Sequence, residues 1–334
     1  MTQKVSSGLM EVKSIILLLA FFLTIGHLAE AQQKTNLPTI GWLTSRPVSR
    51  LGDESETLMR ELHALGYVEG QNIAFEYRYA KGDLGEIRAL ADELVGLKVD
   101  VLLTSSRVIL ARAAKYATST TPVVFVILVD PVVAGLVASL AKPGGNVTGF
   151  TTLSYVTASK RLELLKETVP KLSRVGVLWN FEDPQFEWRG SQVPARTLGL
   201  RLHSMEVYSA EMYESAFEQA VAAGVGALVV AANYLNGANQ KRIMELATTH
   251  RLPAMYSEKQ FVASGGLMSF GSDRAERWTR VASMLDKILK GRRPAELPVE
   301  RPTKFEFVIN LKTAKQIGLS IPPNVLARAD RVIR

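Results

Sequence analysis

The sequence predicts an α/β protein of two lobes, each built around a parallel sheet. Short apolar runs alternate with segments of helical period along most of the chain, the pattern of βαβ units. The alternation runs through twice. Between the two series lie a polar Asp130-Pro131 step and a Gly-rich passage at 143–149, where the chain is read as leaving one lobe for the other. A length of 334 residues suits about two domains, and 47% apolar residues supply a sizeable core.

In the first series, residues 39–43 read as a strand and 53–65 as a helix, with Leu58, Leu62 and Leu65 on one face and Gly66 as its stop. Residues 73–79 alternate as a strand should. The spacing of Leu84, Ile87, Leu90, Ala91, Leu94 and Val95 predicts the next helix. A third strand is expected at 99–103, a helix at 106–116, and a buried strand at 123–129.

The second series predicts helices at 158–168, 185–198, 214–222 and 239–250, with strands at 174–179, 201–206 and 227–230. Short strands follow near Ala254 and at 267–270. Ile40-Gly41-Trp42-Leu43-Thr44-Ser45 and Val175-Gly176-Val177-Leu178-Trp179-Asn180 are alike, and each following helix ends in Leu-Gly, which fits two related Rossmann-like lobes. The helix at 274–289 and the tail beyond Pro294 are expected to return to the first lobe and cross again. The expected division is residues 38–150 completed by about 272–305, and 151–271 completed by about 306–334.

The N-terminus carries Lys4 and Lys13 before the apolar run 15–25, then Ala29-Glu30-Ala31, the layout of a cleaved secretory signal. The apolar run is shorter than the ~20 residues that span a bilayer. Cleavage is expected after Ala31, so residues 1–31 are read as a signal peptide and the mature chain as periplasmic. With no cysteine, it carries neither a lipid-modified Cys nor a disulfide. The net charge is +8, but Lys and Arg are scattered, with no basic helix or zinc signature, so no nucleic-acid partner is expected.

Catalytic signatures are missing from the expected places. Thr44-Ser45-Arg46-Pro47 follows the first strand where a dinucleotide fold needs its glycines. Neither a Walker A, a G-x-S-x-G nor an H-E-x-x-H occurs. Beyond the signal, the histidines are His63, His203 and His250, all within predicted helices or a strand rather than strand-end loops. No enzyme activity, metal or cofactor is expected.

The strand ends instead offer hydrogen-bonding groups. Ser45 and Arg46 follow the first strand; Thr104, Ser105, Ser106 and Arg107 follow the third and open a helix, a suitable receptor for an anion. Ser at that place also serves as a plain N-cap. Asp130 has two readings, a partner for a ligand ammonium or the cap of a short helix beginning at Pro131. From the second lobe come Asn180 and Phe181 after Trp179, Asn233 and Tyr234, Glu258 after Tyr256, and Ser272 with Asp273. The aromatic residues suit either stacking on a flat solute or core and hinge packing.

Residues 64–73 (Ala-Leu-Gly-Tyr-Val-Glu-Gly-Gln-Asn-Ile), the stretch 130–149, residues 289–299 (Leu-Lys-Gly-Arg-Arg-Pro-Ala-Glu-Leu-Pro-Val) and the tail 310–323 resemble the ABC-transporter substrate-binding family that includes the tryptophan-type binding proteins. The resemblance covers essentially the whole mature chain. It implies a type I periplasmic-binding fold with three crossovers, a small polar or aromatic, amino-acid-like solute between the lobes, and delivery to a membrane permease. A monomer is expected. Relatives often carry Thr-Pro at Ser105-Ser106, Asn-Ser at Asp183-Pro184 and Asp at Asn233; a neutral amide at that last position gives the solute amine no charge-assisted bond. A periplasmic sensor feeding a receptor is the alternative reading. A repressor's ligand domain would need a helix-turn-helix where this chain has its signal.

Overall fold

Alternation on buried strands decides this architecture. In the computed structural model, which describes residues 37–45, 52–80, 83–105, 107–180 and 186–334, strands β1 (Thr39–Thr44), β2 (Ala74–Tyr79), β3 (Val101–Ser105), β4 (Val123–Ile127) and β5 (Val147–Thr151) form one sheet. The order is β2-β1-β3-β4-β5 and every pairing is parallel. Successive side chains take opposite faces. Leu43, Leu102 and Phe125 pack under helices α2 (Leu84–Gly96) and α3 (Val108–Ala117). Ile40, Trp42, Val101, Leu103 and Val124 pack on the other side, with Leu58 and Leu62 of α1 (Asp53–Ala64). A sheet covered on both faces needs strands that are apolar throughout, and β3 and β4 are buried along their whole length.

The second lobe repeats the plan. Its strands are β6 (Arg174–Asn180), β7 (Arg201–Val207), β8 (Ala227–Val230), β9 (Ala254–Tyr256), β10 (Met268–Ser272), β11 (Phe305–Asn310) and β12 (Arg331–Ile333), in the order β12-β11-β10-β9-β8-β6-β7. Read from β7 to β10, this is the order of the first sheet, and β6 holds the place of β1. The Ile-Gly-Trp-Leu and Val-Gly-Val-Leu likeness therefore marks equivalent central strands. Only β11 against β10 is antiparallel among the pairings of the described residues. Leu162 and Leu165 of α4 (Ser154–Thr168) and Ala195 of α5 (Phe186–Thr197) cover one face. Phe217 of α6 (Tyr213–Ala222) covers the other, beside a pair of helices, α7 (Tyr234–Ala238) and α8 (Gln240–Thr249), and then α9 (Lys259–Ala263).

Both sheets belong to one compact unit, Thr39–Arg334. Three crossovers connect them. The first is at 152–153, between β5 and α4; the second is at Asp273, between β10 and α10 (Arg274–Leu289). Helix α10 packs Trp278, Val281, Leu285 and Ile288 into the first lobe's core. The chain then runs beside β5, where the Glu300 amide reaches Gly149 O at 2.9 Å, and crosses over 301–304 into β11. Two short helices, α11 (Leu311–Gln316) and α12 (Pro323–Leu326), precede β12. The fold is the expected α/β pair of parallel-sheet lobes.

Several local expectations shift. The crossing comes after β5, a strand absent from the sequence reading, and 130–146 is a turn-rich loop returning to the same sheet. Gly149 explains why β5 was hard to see. A Cβ there would stand 2.2 Å from the Phe125 carbonyl, so the strand needs a residue with no side chain to show its pattern. Ser105 ends β3 rather than opening a helix, and Ser272 lies within β10. The helix expected at 239–250 is α8, and a short helix absent from the sequence reading, α7, precedes it with Asn233 as its cap. Residues 1–31, with the expected signal, lie outside the described residues, as do Arg46, Ser106 and Phe181. No helix of the described residues is long and apolar enough to cross a membrane.

Candidate functional site

The carboxyl ends of both sheets face one another across a cavity of about 110 Å³. From the first lobe come Glu54 at the start of α1, Ser105, Val126 and Leu128 at the ends of β3 and β4, and Arg277 and Trp278 in α10. From the second come 231–234 after β8, Ser257 and Glu258 after β9, and Gly237, Gln240 and Phe261. Crevices outside strand carboxyl ends are where α/β sheets hold ligands.

Turn chemistry fixes the polar wall. Asn233 caps α7, its Oδ1 accepting the Asn236 amide at 2.8 Å. The Asn236 side chain in turn donates to Ala231 O at 3.0 Å and accepts from Tyr213 Oη at 2.9 Å, so the loop after β8 is pinned from behind. At β10, a Cβ on Gly271 would lie 1.8 Å from Ser257 O; that contact lets the loop after β9 sit close to the sheet. Trp42 Nε1 donates to Ser105 Oγ at 3.0 Å, beneath the first lobe's wall.

Charge on the wall is concentrated in three residues. Glu54 and Arg277 are 5% and 6% exposed, and Glu258 is half-buried. Asn233 Nδ2 and Trp278 Nε1, buried donors on wall residues, have no hydrogen-bond partner in the protein. They come from opposite lobes. An acceptor brought by a solute or by water removes a penalty that buried donors otherwise carry.

A smaller cavity adjoins the first, sharing Leu128, Ala232, Ser257, Glu258 and Arg277, and it reaches the crossovers through Thr152, Ser272 and Phe305. Arg161 lies on its wall, 2% exposed. Its guanidinium pairs with Glu187 and donates to Phe270 O at 2.9 Å and Thr157 Oγ1 at 2.5 Å. A buried arginine so fully engaged braces the wall.

Of the residues singled out in the sequence, Ser105, Asn233, Tyr234 and Glu258 line the main cavity and Ser272 the smaller one. Ser45, Asp130, Asn180 and Asp273 line neither. Asp130 Oδ1 accepts the Val132 and Val133 amides at 2.8 and 3.3 Å, the capping reading. Asn180 Nδ2 donates to Val207 O at 2.8 Å, and Ser45 is buried. Asp273 caps α10 through the Ala275 amide at 2.9 Å. The sequence reading missed Glu54, Gln240, Arg277 and Trp278. Arg277 carried a signal: it sits one turn after the crossover Asp273, where a helix begins at the cleft.

The chain matches the model of the family described as ABC transporter substrate binding protein over residues 51–333. It is 29% identical to a tyrosine-binding protein of Clostridioides difficile (strain R20291), over 78% of this chain and 75% of that one. Its fold is similar to a conserved domain protein from Vibrio cholerae, with a TM-score of 0.82 and 28% identity over 89% of this chain and all of that one. It is also similar to a domain from Streptococcus pneumoniae solved in complex with L-Trp. There the TM-score is 0.80 and the identity 26%, over 89% of this chain and 100% of that one.

Proposed function

The chain belongs to the ABC transporter substrate-binding protein family, and from that premise we propose that it closes its lobes on an amino-acid-class zwitterion in the periplasm. The observation that carries this reading is the wall charge. A cavity with Glu54 and Glu258 beside Arg277 offers carboxylates to an ammonium and a guanidinium to a carboxylate. This set also answers the neutral Asn233. The carboxylate that relatives often place there is supplied here from α1 and from the loop after β9.

Tyrosine and L-Trp in the names of similar proteins support the same solute class. Trp278 adds an aromatic surface to the wall. Binding works by differential affinity: contacts from both lobes favour the closed form over the open one, and only that difference shifts the equilibrium. The closed complex then delivers the solute to a membrane permease. The secretory pattern of residues 1–31 supports the periplasmic setting, with cleavage after Ala31, and the mature chain is taken to act as a monomer. The function is binding rather than turnover.

Thermal unfolding of residues 32–334, refolded to remove carried-over solute, against amino acids, nucleosides, sugars and small carboxylates tests this reading. A ligand at ~100 times its Kd adds about 2.7 kcal/mol of stability. A shift confined to one or a few amino acids is expected. A shift with sugars or nucleosides alone would overturn the assignment.

A further inference from the structure

The crossovers are tied to one another by a carboxylate. Glu276, in the first turn of α10, accepts the Lys304 amide at 3.0 Å and the Thr303 amide at 3.2 Å. It also accepts the Thr303 hydroxyl at 2.5 Å. Arg280, one turn further on, donates to Glu276 at 2.8 and 3.0 Å and to Glu300 at 2.8 Å. The second crossover and the third are thereby fastened together on the first-lobe side. Lys259 of α9 fastens them from the second lobe, reaching Asp273 at 3.4 Å and Glu306 at 2.9 Å.

The residues that follow Glu276 are Arg277 and Trp278, both on the cavity wall. The clasp and the wall share one helical turn. We propose that Glu276 is a positioning residue for solute binding: by clasping the third crossover to α10 it holds Arg277 and Trp278 in the closed-cleft geometry, without touching solute. The proposal rests on the cleft being the solute site. Its physical basis is preorganisation, since a wall held in place before binding spends less binding energy on ordering. Nothing in the clasp depends on which amino acid is bound.

The test compares wild type, Glu276→Ala, Glu276→Gln and a control, Ile243→Val, whose side chain is buried in the second lobe away from the crossovers. L-tyrosine and L-tryptophan are the calorimetric probes, and small-angle scattering is recorded without solute. Glu276→Ala is expected to weaken probe binding about tenfold and to raise the unliganded radius of gyration. Glu276→Gln, which keeps an acceptor for the two amides but not the charge facing Arg280, should fall between; it also serves if the alanine variant does not fold. Ile243→Val should lower the unfolding temperature and leave both readouts at wild type. A Glu276→Gln variant with wild-type affinity and scattering would overturn the proposal. Should wild type bind neither probe, the solute reading fails for those amino acids, and the unliganded scattering still decides the clasp: a curve unchanged by Glu276→Ala sinks it.

Discussion

Trp42 holds Ser105. The indole N–H donates to the serine hydroxyl at 3.0 Å, and the two residues lie on neighbouring strands of the first sheet, both almost fully buried. A strand-end hydroxyl that looked free for a solute is already serving the core. Ser105→Ala should therefore cost about 1–3 kcal/mol, the penalty of leaving the Trp42 N–H buried and unpartnered. Urea unfolding measures this. Solute affinity should stay near wild type. A large loss of affinity with unchanged stability would show that Ser105 faces the solute.

Trp278 poses the opposite case. Its N–H is buried without a partner, and its ring packs 5.5 Å from that of Trp42. Trp278→Phe keeps an aromatic ring and removes the unpaired donor. Stability in the absence of solute should fall, since the smaller ring leaves a cavity in the first lobe's core, with the loss partly offset by removal of the unsatisfied donor's desolvation cost. Affinity should fall, because a solute acceptor loses its partner. Calorimetry on the variant checks this; undiminished affinity would leave Trp278 a packing residue.

The two variants mark what sequence could reveal. Apolar strands such as β3 and β4 announce themselves because a sheet covered on both faces must be apolar throughout. The like central strands β1 and β6 likewise announce the repeat. Asn233 and Glu258 were legible because strand-end loops are local features. Glu54 and Arg277 were not, since each lies within a helix and reaches the cavity only through tertiary packing. Arg277 is brought there by a crossover whose partner segment lies about thirty residues downstream. Asp130, conspicuous in sequence, caps a turn instead. Local hydrogen bonding wins over site formation wherever an Asp-Pro step can satisfy backbone amides.

Acid should expose the clasp. Burial pushes the Glu276 carboxyl up, but hydrogen bonds from Thr303 and Arg280, with the Lys304 and Thr303 amides, outweigh it and bring the pKa from 4.5 to about 2. A carboxylate with its folded-state pKa lowered contributes stability that is complete above its unfolded value. That contribution is lost as pH falls from about 4.5 toward 2. Its size is on the order of 3 kcal/mol. Urea midpoints recorded across this window should fall more steeply for wild type than for Glu276→Gln. Parallel curves would mean that Glu276 titrates alike in the folded and unfolded chain.

Calorimetric titration of residues 32–334 and of Arg277→Gln with the same amino acids tests the central claim most directly. Wild type is expected to bind at least one amino acid with one site per chain. The variant, which has lost the guanidinium facing the solute carboxylate, is expected to bind the same amino acid at least about tenfold more weakly, near 1.4 kcal/mol. Equal affinity in the two proteins would contradict a zwitterion held at Arg277, and no binding by wild type to any amino acid would contradict the solute class itself.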